Sequence, residues 1–165
     1  MLHTSAQERY EKLKKVFHRL MTDFDRDNLD DFVAVANSLP AWISFDPAMS
    51  EEQRDALQRF MVPNSVDWRI CNELANRQKH VRPKRKGKAP FVRTVQVRAG
   101  GKGFLVPSGA KVCGAGEEII VHCAHHAESA LAFVVRTFRH FHYIFEVAPI
   151  PVEQRKIGGF SELLV

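Results

Sequence analysis

The sequence predicts a mainly helical α+β protein: a four- or five-helix bundle with a small antiparallel β-meander inserted before the last long helix. Apolar residues recur at helical spacing in residues 5–24, 29–43, 66–80 and 127–146. From Phe91 the period changes to two, over a stretch that is rich in β-branched residues and is followed by glycine turns. A meander of this size is too small to fold alone, so we expect it to pack on the helices.

The length of 165 residues suits one domain, or one domain with an appendage. We assign residues 1–146 to a single helical-bundle domain, with the meander at about residues 91–123, and residues 147–165 to a C-terminal tail. No run of about 18 apolar residues occurs, so we expect no membrane partner. The absence of a secretion signal and the three cysteines without paired spacing predict a cytoplasmic protein.

Capping residues and prolines set the boundaries of the first helices. The acidic joint at residues 23–31 can cap the second helix, and Pro40 should kink or divide that helix. Residues 50–53, SEEQ, form a capping box that opens a short third helix, which Pro63 ends.

The meander is predicted to contain three or four strands. Side chains alternate between the two faces of a predicted strand over residues 91–98. A turn at 99–102 then leads into a second strand at 103–106. Residues 110–113 pair briefly, and residues 117–123 form the last strand. One face of the first strand would carry Phe91, Arg93, Val95 and Val97.

The last helix, residues 127–146, has two faces. Its buried side is predicted to carry Leu131, Val134, Val135, Phe138, Phe141, His142 and Phe145. An outer basic stripe would carry Arg136, Arg139, His140 and Tyr143.

The helix at residues 66–80 also separates its side chains into two faces. The inward face would carry Asp67, Ile70, Cys71, Leu74, Ala75 and Gln78, with Trp68 at its margin. The outward face would carry Arg69, Asn72, Glu73, Asn76 and His80, flanked by Arg77 and Lys79. This polar face is either a solvated helix surface or a functional site.

Positive charge is concentrated in the middle of the chain. The net charge is +5, and residues 61–125 contain 12 Lys and Arg against 4 Asp and Glu. Six basic residues lie within ten positions at and after the end of the central helix: Lys79, Arg82, Lys84, Arg85, Lys86 and Lys88. We predict that they bind nucleic-acid phosphates, with a solvated connector as the alternative.

The candidate catalytic residues are His80, Asn76, Arg69 and Arg77. Histidine transfers protons near neutral pH, and arginine stabilises charge that develops on a phosphate. His80 would be the general acid or base, Asn76 would orient it, and Arg69 or Arg77 would hold the phosphate. Arg69 and His80 are about 16 Å apart along a helix, so a second copy of the chain would be needed to join them.

The segment His122-Cys123-Ala124-His125-His126 contains the residue types that bind zinc. It has no paired CxxC or HxxxH spacing, and on a strand His122 and Cys123 point to opposite faces. We therefore predict no metal. We expect no cofactor either, because the chain lacks the glycine-rich motifs that bind nucleotides.

The element NxxKH, Asn76 to His80, ends a long amphipathic helix that is followed by strands and a last helix. In this respect the chain resembles the HEPN-like helical-bundle superfamily, which includes small bacterial proteins, over about residues 5–146. The resemblance implies a dimeric, metal-independent endoribonuclease of a toxin or phage-defence system. It equally implies a member of the family that binds RNA without cutting it.

The usual family motif places an Arg and a His several residues apart on one helix. In this chain Arg77 and His80 have two residues between them. Arg136 and His142 have five, but His142 is predicted to be buried. The expected function is thus an RNA-interacting HEPN-like protein, with two alternatives: a non-catalytic module that binds nucleic acid through the 79–88 loop, or a protein–protein adaptor.

Overall fold

The computed structural model describes residues 5–62, 65–79, 90–98 and 118–151. These residues form a helical bundle that carries a small antiparallel sheet, which confirms the predicted fold class. The helices are α1 (Ala6–Thr22), α2 (Arg26–Phe45), α3 (Glu51–Phe60), α4 (Val66–Lys79) and α5 (Ala130–His142), which continues as a π-helical turn (Tyr143–Val147). The strands are β1 (Val92–Arg98), β2 (Glu118–Cys123) and β3 (Ala127–Ser129). None of the described helices is both long and apolar enough to cross a membrane.

Side-chain caps fix the starts of the first three helices. Ser5 and Ser50 open α1 and α3 with capping boxes, and Asp25 caps α2 by accepting from the Asn28 N–H at 2.7 Å. The helix α2 runs from Arg26 to Phe45 as one element, so Pro40, which was predicted to kink or divide it, does not divide it. Pro40 is itself buried among the core residues of α2, and tertiary packing of this kind overrides the local helix-breaking preference.

Aromatic stacking joins α1 to α5 and to the π-helical turn that follows it. The ring centres of Tyr10 and Phe145 are 4.4 Å apart, and those of Phe17 and Phe138 are 3.9 Å apart. The buried residues extend from α1 through α2 and α4 to α5. Leu74 is buried as predicted, as are Leu20 and Phe32, while Val135 and Phe138, predicted to be buried, are half-buried.

The sheet has the strand order β1-β2-β3, and both pairings are antiparallel. A bulge in β1 lies between Val92, which pairs with Cys123, and Thr94. Because a bulge adds one residue to its strand, Val92 and Val95 lie opposite the buried residues Cys123 and Val121 although they are three positions apart. The prediction of one face shared by Phe91, Arg93, Val95 and Val97 is therefore wrong: Phe91 and Val92 are buried, and Arg93 is exposed.

Residues 127–129, which helical periodicity assigned to the last helix, form strand β3 instead. They pair with β2, where His122 lies opposite Ala127, and Ser129 then caps α5 by accepting from the Leu131 N–H at 3.2 Å. The predicted strand at 103–106, the brief pairing at 110–113 and most of the tail lie outside the described residues.

Candidate nucleic-acid interface on the fourth helix

The helix α4 inserts one face into the core and presents the other to the sheet. Ile70, Cys71, Leu74 and Ala75 are buried, as predicted. Gln78 was expected on the same face, but it is exposed, and its amide donates to the Asp30 backbone oxygen at 3.1 Å. The inward stripe thus ends at Ala75, and the last turn of α4 is polar on the side that meets α2.

Two side chains on the outer face of α4 hold the start of β1. The Glu73 carboxylate accepts from the backbone N–H groups of Phe91 at 3.0 Å and Val92 at 2.8 Å. One turn later, the Arg77 guanidinium donates to the backbone oxygens of Val92 and, at 3.3 Å, Arg93. Buried backbone groups need such partners, so Glu73 and Arg77 satisfy the backbone at the bulge.

Three exposed arginines gather around this junction: Arg69, Arg77 and Arg93, which we call the arginine patch. The Cζ atom of Arg69 lies 3.9 Å from the centre of the Phe91 ring, well within cation–π range. Glu73 is an acidic side chain at the same place, and each of its two oxygens accepts a backbone N–H. The patch therefore has net positive charge.

The structure brings three of the four candidate catalytic residues to one surface. Arg69, Asn76 and Arg77 are all exposed on α4. The Asn76 amide donates to Asn72 Oδ1 at 3.3 Å, and Arg77 is bound to the β1 backbone. His80 lies outside the described residues, as do Arg82, Lys84, Arg85, Lys86 and Lys88, while Lys79 is the last residue of α4.

A polar network that the sequence reasoning missed joins the first turn of α4 to α5 and β3. Asp67 is only 8% exposed, and it accepts from Arg136 Nε at 3.0 Å and Nη2 at 2.7 Å. Arg136 Nη2 also donates to Glu128, and His140 Nε2 lies 3.6 Å from Asp67 Oδ2. Arg136 and His140 were predicted on an exposed stripe, but Arg136 is half-buried because it pairs with these two carboxylates.

Electrostatics in this network favour the charged forms of Asp67 and Arg136. Burial alone would raise the pKa of the Asp67 carboxyl, but its interactions with His140 and Arg136 outweigh burial and lower that pKa below its ordinary value. The hydrogen bonds to Asp67 raise the pKa of Arg136 above its ordinary value. One sequence signal could have revealed the network: an aspartate on the buried face of α4 requires a cationic partner.

Two histidines connect the network to aromatic rings on either side. His126 Nε2 lies 3.2 Å from Glu128 Oε1, and the His126 ring lies 6.1 Å from the Phe91 ring. At the other end, the His140 ring lies 4.6 Å from the Phe60 ring. The network and the arginine patch therefore share Phe91 as a common neighbour.

Three other histidine and cysteine side chains, His122, Cys123 and His142, have separate surroundings. His122 Nε2 lies 3.1 Å from Gln96 Oε1, while Cys123 is buried, and burial raises the pKa of its thiol. His142, predicted to be buried, is half-buried, with Nδ1 3.2 Å from the Tyr10 hydroxyl. Within the described part of the chain, no group of three or more His, Cys, Asp or Glu side chains is arranged to hold a metal ion.

Comparisons of this chain with protein-family models, with curated proteins and with solved structures found no match.

Proposed function

We propose that the protein binds RNA through the arginine patch and the basic segment that follows α4, as an RNA-interacting protein of HEPN type. The supporting observation is the position of Arg69, Arg77 and Arg93 around the junction of α4 and β1. The α4 helix ends there at Lys79, the first residue of the basic run. Guanidinium groups bind phosphates through paired N–H groups, and such contacts supply most of the affinity for nucleic acids.

The local charge balance also supports a polyanionic partner. Residues 61–125 carry 12 basic against 4 acidic side chains. This excess of basic side chains in the middle of the chain favours a partner that carries many negative charges.

The first test measures how RNA affinity depends on salt. Changing Lys84, Arg85 and Lys86 together to serine should weaken binding and reduce the slope of log affinity against log salt by about two to three units, because each phosphate contact contributes about 0.7 to 0.9. Fluorescence anisotropy with a labelled oligoribonucleotide at several salt concentrations gives this slope. A control in which Lys12 and Lys15, both exposed on α1, become serine should keep the slope. An unchanged slope in the triple variant would show that the segment is only a connector.

A metal-independent endoribonuclease of a toxin or phage-defence system is the second candidate. Asn76 and Arg69 are exposed on the face of α4 that His80 would continue one turn beyond Asn76. Since Arg77 is bound to the β1 backbone, Arg69 is the better candidate to hold a phosphate. A neutral imidazole at position 80 could accept the proton of an RNA 2′-hydroxyl group, and this reaction needs no metal.

Incubation of the purified protein with single-stranded RNA in chelator tests this second candidate. Cleavage should occur with the wild type and disappear in His80→Ala, with an unchanged melting temperature. The control is His18→Ala, which removes an exposed histidine from α1 and should leave the rate unchanged. Binding without cleavage by the wild type would leave the non-catalytic RNA-binding module. If RNA neither binds nor is cut, the protein–protein adaptor becomes the leading function.

A further inference from the structure

The Arg69 side chain is held in place in a way that a simple phosphate contact does not require. Its Cζ atom lies over the Phe91 ring, 3.9 Å from the ring centre and well within cation–π range. Phe91 is itself 6% exposed, and its backbone N–H is fixed by Glu73 Oε1 at 3.0 Å. Arg69 is exposed, so the side chain that lies over the ring also reaches solvent.

A guanidinium group presented in this way suits a flat ligand. Unpaired bases of single-stranded RNA stack on arginine planes and on aromatic side chains, and such stacking tolerates any base because every base has a π-face. The support from Phe91 reduces the conformational entropy that Arg69 would lose on binding. The edge of the same group keeps N–H donors that can reach a neighbouring phosphate.

A second planar side chain lies beside the same ring. The His126 ring is 6.1 Å from the Phe91 ring at an interplanar angle of 54°, and His126 is exposed. Its Nε2 atom lies 3.2 Å from Glu128 Oε1, which restrains the orientation of the imidazole. Arg69 and His126 therefore flank one buried aromatic ring, and both reach solvent.

We infer that Arg69, supported by Phe91 and flanked by His126, forms a subsite for an unpaired nucleobase of single-stranded RNA. This inference rests on the proposed RNA binding and adds a base contact to the phosphate contacts. In a duplex the faces of the bases are covered by their neighbours, so the subsite selects strands with unstacked bases.

The test compares a single-stranded oligoribonucleotide with an abasic strand of the same length, which keeps every phosphate but has no bases. The full-length wild type should bind the base-containing strand about tenfold more tightly, the lower range of one stacked base. Arg69→Lys keeps the charge but removes the plane, so its preference should fall to about twofold while its affinity for the abasic strand is retained. Fluorescence anisotropy at one fixed salt concentration gives all four affinities.

Two further variants separate stacking from charge and from folding. Phe91→Leu keeps every charge and removes the supporting ring, so it should also lose the preference for bases. Arg59→Lys changes an exposed arginine on α3, outside the arginine patch, and should keep the tenfold preference. Melting temperatures show whether each variant is folded, and if Phe91→Leu is not, Arg69→Lys alone decides.

The outcomes distinguish this inference from the function on which it rests. Equal affinity of the wild type for both strands would overturn the base subsite and leave RNA binding through phosphates intact. A tenfold preference retained in Arg69→Lys would likewise overturn it. No affinity for either strand would overturn the proposed RNA binding, and the subsite with it.

Discussion

Replacing Glu73 with alanine should destabilise the protein by about 3 kcal/mol, because two backbone N–H groups of buried residues lose a charged acceptor. These are the N–H groups of Phe91 and Val92, at 3.0 and 2.8 Å from the carboxylate. For a chain of this length the melting temperature should fall by about 6–12 °C. Thermal denaturation followed by circular dichroism measures the change.

Two variants on the same helix serve as comparisons for this result. Glu73→Gln keeps one oxygen that can accept a hydrogen bond, so its melting temperature should lie between those of the wild type and the alanine variant. Asn76→Ala removes an exposed side chain whose bond is to Asn72 on the same helix, and it should cause no loss. If Glu73→Ala melts like Asn76→Ala, the carboxylate does not hold β1.

Replacing Asp67 with asparagine should cost about 2 kcal/mol at neutral pH, a typical value for a hydrogen bond between charged groups. The change removes the charge that Arg136 and His140 surround, although one acceptor oxygen remains. The melting temperature should fall by about 4–8 °C. The matched control is Asp31→Asn, which breaks an exposed pair with Arg19 and should change the melting temperature little.

The effect of Asp67→Asn should depend on pH in a defined direction. The folded protein lowers the pKa of Asp67 below its ordinary value of 3.8, so the carboxylate stabilises the folded state above that pH. This contribution is lost as the pH falls through the lowered pKa. The difference in stability between wild type and variant should therefore be full near pH 7 and shrink below about pH 4. A difference that is constant from pH 7 to pH 3 would contradict this role.

The helices were predictable because burial of one face imposes a period on the sequence. The stripes of α1, α2 and α4 and the capping box at Ser50 each follow from residues close together in the chain. The two failures have different causes. Gln78 leaves the buried face because its amide reaches Asp30, 48 positions away. Residues 127–129 form a strand because the chain turns back and pairs them with residues 120–122 of β2, a local pairing that the helical period of the sequence did not indicate.

The candidate site likewise contains some features that the sequence predicts and others that depend on tertiary packing. The sequence alone predicts that Arg69 and Asn76 are exposed on one face of α4, because each residue of a helix is rotated by 100° from the one before. The bonds from Glu73 and Arg77 to the bulge could not be predicted, since they depend on where β1 begins in space. The pairing of Asp67 with Arg136, 69 positions apart, likewise requires the packing of α4 against α5.

The hydrogen bonds from α4 to the start of β1 also affect the tendency of the protein to aggregate at high concentration. A strand at the edge of a sheet offers unpaired N–H and C=O groups to any other strand, and this is a common route to aggregation. In β1 the outward-facing groups at Val92 are occupied by Glu73 and Arg77. A foreign strand would have to displace a carboxylate and a guanidinium group before it could pair there. The helix therefore blocks edge-to-edge pairing at the start of β1, which is an edge strand among the described strands.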